Sequence, residues 1–221
     1  MSSRLKTAKG YIFDFNGTLI LDENENREAW KKTVRKMRGT PQSDEEFQLL
    51  NGRTDRETVL YFIPDADEST IEYWINEKET LYKKLCMDNG LSLAEGAEDF
   101  LSYLSATSVP MAIASSAPKI NMDWYIPYFG LERFFRRENI IAGRDDIPSK
   151  PDGTIFRLAA ASIGLRSEET VIFEDSVSGV KAAIDSGAKT IYRLGAEGKE
   201  KFTSFPSVIL IDSFSELVYQ L

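Results

Sequence analysis

Residues 11–19, Tyr-Ile-Phe-Asp-Phe-Asn-Gly-Thr-Leu, constrain the fold more than any other stretch. A short apolar run stops at a carboxylate and breaks into a Gly-Thr turn. It reads as a buried parallel strand that delivers Asp14 to the edge where open α/β sheets place their ligands. A carboxylate exposed there is able to attack phosphorus. Its plainer use is to cap the segment that follows.

The pattern then changes. From Asp22 to Gly90, polar and apolar residues alternate at helical spacing over 27–37 and 72–87, with a shorter helix over 54–63. This stretch reads as a helical insertion hinged near Leu21-Asp22 and near 90–96. Between its helices lies Gly52-Arg53-Thr54-Asp55-Arg56. Thr54 or Asp55 there suits a helix start, whereas Arg53 and Arg56 suit a phosphate or sugar hydroxyls. Lys78, Lys83 and Lys84 fall on the face of a periodic helix that is expected to be solvated.

From Glu98 onward short strands alternate with helices, the signature of a parallel sheet covered on both faces. Strands are expected at 110–114, 140–141, 171–173, 189–192 and 208–211, with a last helix over 213–221. Ser115-Ser116-Ala117-Pro118 forms a turn opening a helix, a ready anion site. Trp124, Tyr125, Tyr128 and Phe129 crowd that helix and read as core. A polar loop over 145–149 leads to Lys150-Pro151. Glu174-Asp175 ends the strand at 171–173, and Ser176 is a natural cap for the helix around 180–185. With Asp14 nearby, these two carboxylates make an oxygen-rich site suited to Mg2+.

Composition narrows the chemistry. The chain has no histidine, which removes His-ligated metals, Ser-His and Cys-His pairs and imidazole acid/base catalysis. A formal charge of -8 opposes nucleic-acid or membrane-surface binding. The single Cys86 allows no intrachain disulfide and reads as a packing residue. No apolar run approaches a membrane span, and the segment MSSRLKTAKG has no apolar core, so a cytoplasmic location is expected. The expected partner is a small molecule, with a monomer the simplest oligomeric state.

Four pieces in order resemble the haloacid dehalogenase superfamily: Asp14-Phe15-Asn16-Gly17-Thr18-Leu19, Ser115 after a strand, Ser149-Lys150-Pro151, and Glu174-Asp175-Ser176. The subgroup it resembles is the β-phosphoglucomutase-like phosphatases and mutases, whose helical cap follows the first motif. The resemblance implies an α/β fold, a Rossmann-like parallel-sheet core (1–21 and 91–221) with an inserted small α-helical cap (22–90). It also implies a Mg2+-dependent phosphatase-type hydrolase acting on a small, sugar phosphate-like metabolite. Asp14 would become an aspartyl-phosphate, and Lys150, Ser115 and Ser116 would hold the phosphate. Mg2+ would be held by Asp14, the main-chain carbonyl of Asn16, Glu174 and Asp175. Thr18 would lie near the phosphate or support the turn.

Asn16 departs from that pattern, which has an aspartic acid there to protonate the leaving oxygen and later activate water. An amide donates a hydrogen bond but exchanges no proton. Loss of acid/base help costs about a hundred- to ten-thousand-fold in rate. Asn26 and Leu21-Asp22 also differ from the mutases, which must pass protons both ways. The alternatives are a phosphomutase, a phosphatase for good leaving groups, one in which Asp22 substitutes as acid, a slow enzyme with a long-lived aspartyl-phosphate, or a weakly catalytic phosphate-binding regulator. Dehalogenases use the first aspartate without Mg2+, and phosphonate-cleaving relatives use a cap lysine. Asp22 is otherwise a helix cap.

Overall fold

A computed structural model of the chain describes residues 8–50, 53–144, 146–195 and 198–218. Gly52, Asp145 and the end of the expected last helix (219–221) lie outside the described residues. The chain divides into two compact units, one of residues 1–21 and 92–221 and the other of residues 22–91.

The first unit is a six-stranded, wholly parallel sheet. Its strands are β1 (Gly10–Phe13), β2 (Met111–Pro118), β3 (Ile140–Gly143), β4 (Thr170–Glu174), β5 (Thr190–Leu194) and β6 (Val208–Ile211), in the order β3-β2-β1-β4-β5-β6. The chain runs outward from β1 through β2 to β3, then returns to β4 on the other side of β1. Sheet growth therefore reverses between β1 and β4, which is where such sheets open a crevice at the carboxyl ends of their strands. Both strands are buried along their whole length, as their unbroken apolar runs require.

One face of this sheet buries Ile12, Ala112, Ile172 and Ile191 against two helices, Thr154–Ser162 and Val177–Asp185. The other packs Phe13, Phe100, Phe173 and Phe214 ring to ring, with Phe13 and Phe173 stacked at 4.9 Å. β2 runs on through Ser115 to Pro118, past the expected turn, because its register against β3 shifts between Ala114 and Pro118 and the strand stays paired. The β1–β4 register sets Phe13 against Phe173, so Asp14 and Glu174 leave the sheet side by side.

The second unit holds α1 (Glu23–Arg38), α2 (Asp44–Leu50), α3 (Asp55–Phe62) and α4 (Glu68–Asp88). The first-unit helices then follow as α5 (Ala97–Ala106), α6 (Lys119–Tyr128), α7 (Thr154–Ser162), α8 (Val177–Asp185) and α9 (Ser215–Val218). Trp30, Val34, Val59 and Ile71 form the helical unit's core. α1 stops at Gly39, whose φ of 83° lets its N–H close back on Arg35. Thr54, not Asp55, caps α3, and with Glu57 it closes a reciprocal capping box.

Two expectations fail in this unit. Lys78 is buried rather than solvated, with its ammonium 2.8 Å from Glu79 and 3.4 Å from Asp55. Asp22 precedes α1 but makes no side-chain cap bond; its carboxylate accepts from the Tyr82 hydroxyl at 2.6 Å. Among the described residues, no helix is long and apolar enough to cross a membrane.

Candidate active site

Asp14 follows β1 and is 5% exposed; its N–H donates to Phe173 O and holds the backbone against β4. The chain then turns tightly, with Phe15 O accepting from the amides of Thr18, Leu19 and Ile20. Gly17 has φ of 80°, and a Cβ there would overlap the Asp175 carboxylate. The turn thus needs glycine for conformation and for room.

Lys150 crosses from the loop before α7. Its ammonium donates to Asp14 Oδ1 and to Glu174 Oε1, each at 2.6 Å, and lies 4.9 Å from the Phe156 ring centre. Its two carboxylate partners hold the lysine cationic, above its ordinary range, despite burial. Burial raises Asp14 to about 6; Lys150 opposes that and Glu174 adds to it. Asp175 is likewise pushed up, first by burial and then by Glu174 and Asp14.

Glu174 is 1% exposed and fully engaged. Its Oε2 accepts from Asp175 N, Ser176 N and Ser176 Oγ at 2.7 to 3.0 Å, while Oε1 takes Lys150. Ser176 Oγ in turn caps α8 by accepting from Gly179 N. Glu174 thereby ties the end of β4 to the Lys150 ammonium. Thr18, fully buried, donates to Asp175 Oδ1 at 3.3 Å. Arg193 Nε donates to Asp175 O from β5.

Asp14, Glu174 and Asp175 offer carboxylate oxygens that all lie within 4.8 Å of one another. Three hard oxygen donors, two of them with raised affinity for protons, fit a small divalent cation such as Mg2+. Ser115 lies just beyond the level of Asp14 on the adjacent strand, since Phe13 pairs with Ile113. It is buried, its Oγ accepting from Ala117 N, and Ser116 is exposed. Asn16 Nδ2 donates to the Tyr125 hydroxyl at 3.1 Å.

Arg53 and Arg56 belong to the helical unit. Arg56 is spent in a bidentate pair with Glu68, at 2.5 and 2.8 Å, on an exposed face. Arg53 borders a small cavity of about 60 Å³ with Gln42, Asp55 and Thr58. Sequence reading passed over Gly17, Gly179, Arg193 and Tyr125 as site residues. Gly179 had a signal, lying three residues after the Ser176 cap; a Cβ there would strike the Glu174 carboxylate. Nothing in the sequence links Tyr125 to Asn16.

A model of the haloacid dehalogenase-like hydrolases matches residues 11–192. The chain is 27% identical over 186 residues to the phosphorylated carbohydrates phosphatase of Thermotoga maritima, covering 82% of each. It is 25% identical over 177 residues to validoxylamine A 7'-phosphate phosphatase of Streptomyces hygroscopicus subsp. limoneus, covering 80% of this chain and 81% of the relative. Its fold matches a crystal structure of a family IA, variant 3 HAD hydrolase from Entamoeba histolytica with a TM-score of 0.86, at 30% identity over 94% of each chain.

Proposed function

This chain belongs to the haloacid dehalogenase-like hydrolases, and we propose that it is a Mg2+-dependent phosphatase acting on a small, sugar phosphate-like metabolite through an aspartyl-phosphate on Asp14. The observation that carries this reading is the Lys150 ammonium 2.6 Å from the Asp14 carboxylate at the carboxyl edge of β1, beside Glu174 and Asp175. Relatives named phosphorylated carbohydrates phosphatase and validoxylamine A 7'-phosphate phosphatase support the substrate class.

An Asp14 oxygen attacks phosphorus and the bond to the ester oxygen breaks, leaving an acyl phosphate and an alcohol whose proton comes from solvent. Water then attacks the same phosphorus, the Asp14–phosphorus bond breaks, and phosphate leaves with the carboxylate restored. Lys150 neutralises charge on the nucleophile and incoming phosphate, and Ser115 with nearby amides takes the equatorial oxygens. Asp14, Asp175 and the carbonyl of Asn16 would hold Mg2+, with Glu174 bracing Lys150 or reaching the cation through water. When bound, the cation supplies Lewis-acid neutralisation of phosphate charge. The helical unit would serve as the cap that selects the substrate.

Asn16 favours hydrolysis over phosphomutase chemistry, because returning phosphate to a sugar needs proton exchange in both directions. It also gives weight to slow turnover. Phosphate release from phosphate monoesters, and chloride release from 2-chloropropionate, each measured with Mg2+ and with EDTA, test the reading. Phosphate release that EDTA abolishes is expected. Chloride release that survives EDTA would overturn it in favour of dehalogenation.

A further inference from the structure

Asp185 is a carboxylate at the end of a helix that favours cations. It is the last residue of α8, where the aligned carbonyl dipoles already carry partial negative charge. Its partners lie in the loop and helix that carry Lys150. Asp185 Oδ2 accepts from Gly153 N at 2.8 Å and from Arg157 Nη1 at 3.1 Å, and Arg157 Nη1 also donates to Asp185 O at 3.1 Å. The Gly153 N–H, and after it Arg157, holds the Asp185 carboxyl below the ordinary carboxylate range.

The contact is close as well as polar. A Cβ on Gly153 would overlap Ser186 N and Ala182 O, so glycine lets the loop backbone run directly against the end of α8. Between this contact and Lys150 the chain has little slack. Asp152 N donates to Ser149 O at 3.1 Å, closing a turn around Lys150-Pro151, and Asp152 Oδ1 accepts from Thr154 N at 2.8 Å.

α8 therefore meets the Lys150 chain at both of its ends. At its start the Ser176 cap donates to Glu174 Oε2, and Glu174 Oε1 takes the Lys150 ammonium. At its end Asp185 takes the Gly153 amide. A lysine side chain is long and flexible, so the position of its backbone decides whether the ammonium reaches both carboxylates.

Resting on the phosphatase reading, we propose that Asp185 is a positioning residue: by holding Gly153 against the end of α8, it sets the backbone from which Lys150 reaches Asp14 and Glu174. The feature that matters is the oxygen receiving the Gly153 N–H. An asparagine keeps that acceptor and an alanine loses it.

The test compares wild type, Asp185→Asn, Asp185→Ala and Gly153→Ala in the full chain with Mg2+ on p-nitrophenyl phosphate. Misplacing a group of the site by about 1 Å costs up to about a hundredfold, and a smaller displacement costs less. Values of kcat/KM should fall about tenfold in both alanine variants and stay within about twofold of wild type in Asp185→Asn. The unfolding midpoint of Asp185→Ala should move little, since the ion pair is exposed and the alanine relieves a carboxylate at a helix C-terminus. An unaltered rate in Asp185→Ala, or an Asp185→Asn protein as slow as Asp185→Ala, would overturn the inference.

A second readout needs no turnover. In protein carrying isotope-labelled lysine, the NMR signals of the Lys150 ε-methylene, assigned by their loss in Lys150→Arg, should shift in Asp185→Ala and hold in Asp185→Asn. Unmoved signals in Asp185→Ala overturn the positioning. Signals that shift in this way in a protein whose wild type hydrolyses no phosphate ester uphold the positioning and overturn the phosphatase reading.

Discussion

Thr18, Gly179 and Cys86 each owe their behaviour to what packs around them. The Thr18 hydroxyl is buried with Asp175, 157 residues on, and orients that carboxylate. Thr18→Val keeps the shape and removes the donor, so Mg2+ affinity should weaken about tenfold, as for other groups that orient a metal-binding carboxylate; calorimetric Mg2+ titration reads it. At Gly179 an added methyl would displace Glu174 from beneath α8. Gly179→Ala should therefore lower stability by about 1–3 kcal/mol and cut phosphate release as Lys150 loses its brace. Chemical denaturation measures the first. Cys86 is buried and its thiol is pushed up to about 12, chiefly by that burial. With about one thiol in ten thousand ionised at pH 8, iodoacetamide should label it only after unfolding.

The strands and their end residues were the legible elements. β1 and β4 announced themselves as short apolar runs closed by carboxylates, whereas Lys150 was singled out only by the family resemblance of Ser149-Lys150-Pro151. Elements set by partners were not legible. Lys78 looked solvated because a helical period says which face a residue shares, not what stands opposite it; Asp55, 23 residues earlier, accepts from its buried ammonium together with Glu79. The short helix α2 was missed although Ser43 and Glu46 form a reciprocal cap, Ser43 Oγ accepting from Glu46 N and Ser43 N donating to Glu46 Oε2. That spacing was visible in the sequence.

Phe13 and Phe173 bind the two functional strands through one aromatic stack. Phe13→Ala should cost about 3–5 kcal/mol in unfolding free energy and take the Asp14–Lys150 geometry with it. At the strand entrance, Lys9 holds the Glu169 carboxyl down at about 2. Because that value is depressed, its contribution is present above the unfolded value of about 4.5 and is lost as pH falls toward 2. Glu169→Gln should flatten the acid-unfolding profile across that window.

Across the whole molecule, residues 22–91 form one compact unit, and the chain on either side of them belongs to the other. Ile20 and Leu93 form an antiparallel bridge, and Ala94 N donates to Leu19 O at 2.8 Å, so the core holds its own chain ends together. Replacing residues 22–91 with a short Gly-Ser linker should leave a core that unfolds cooperatively with α/β circular dichroism; a molten, non-cooperative product would mean the helical unit is required for folding. Such a core should still release phosphate from acetyl phosphate while losing selectivity among larger esters.

As the proposed nucleophile, Asp14 would work beside Asn16, a residue that cannot pass a proton. Phosphate release from a panel of phosphate esters with Mg2+, comparing wild type, Asp14→Asn and Asn16→Asp, tests it most directly. Measurable turnover by wild type, none by Asp14→Asn, and a gain of about a hundredfold or more on alkyl esters in Asn16→Asp are the predicted results. Full activity in Asp14→Asn, or an Asn16→Asp protein no faster than wild type, would contradict it.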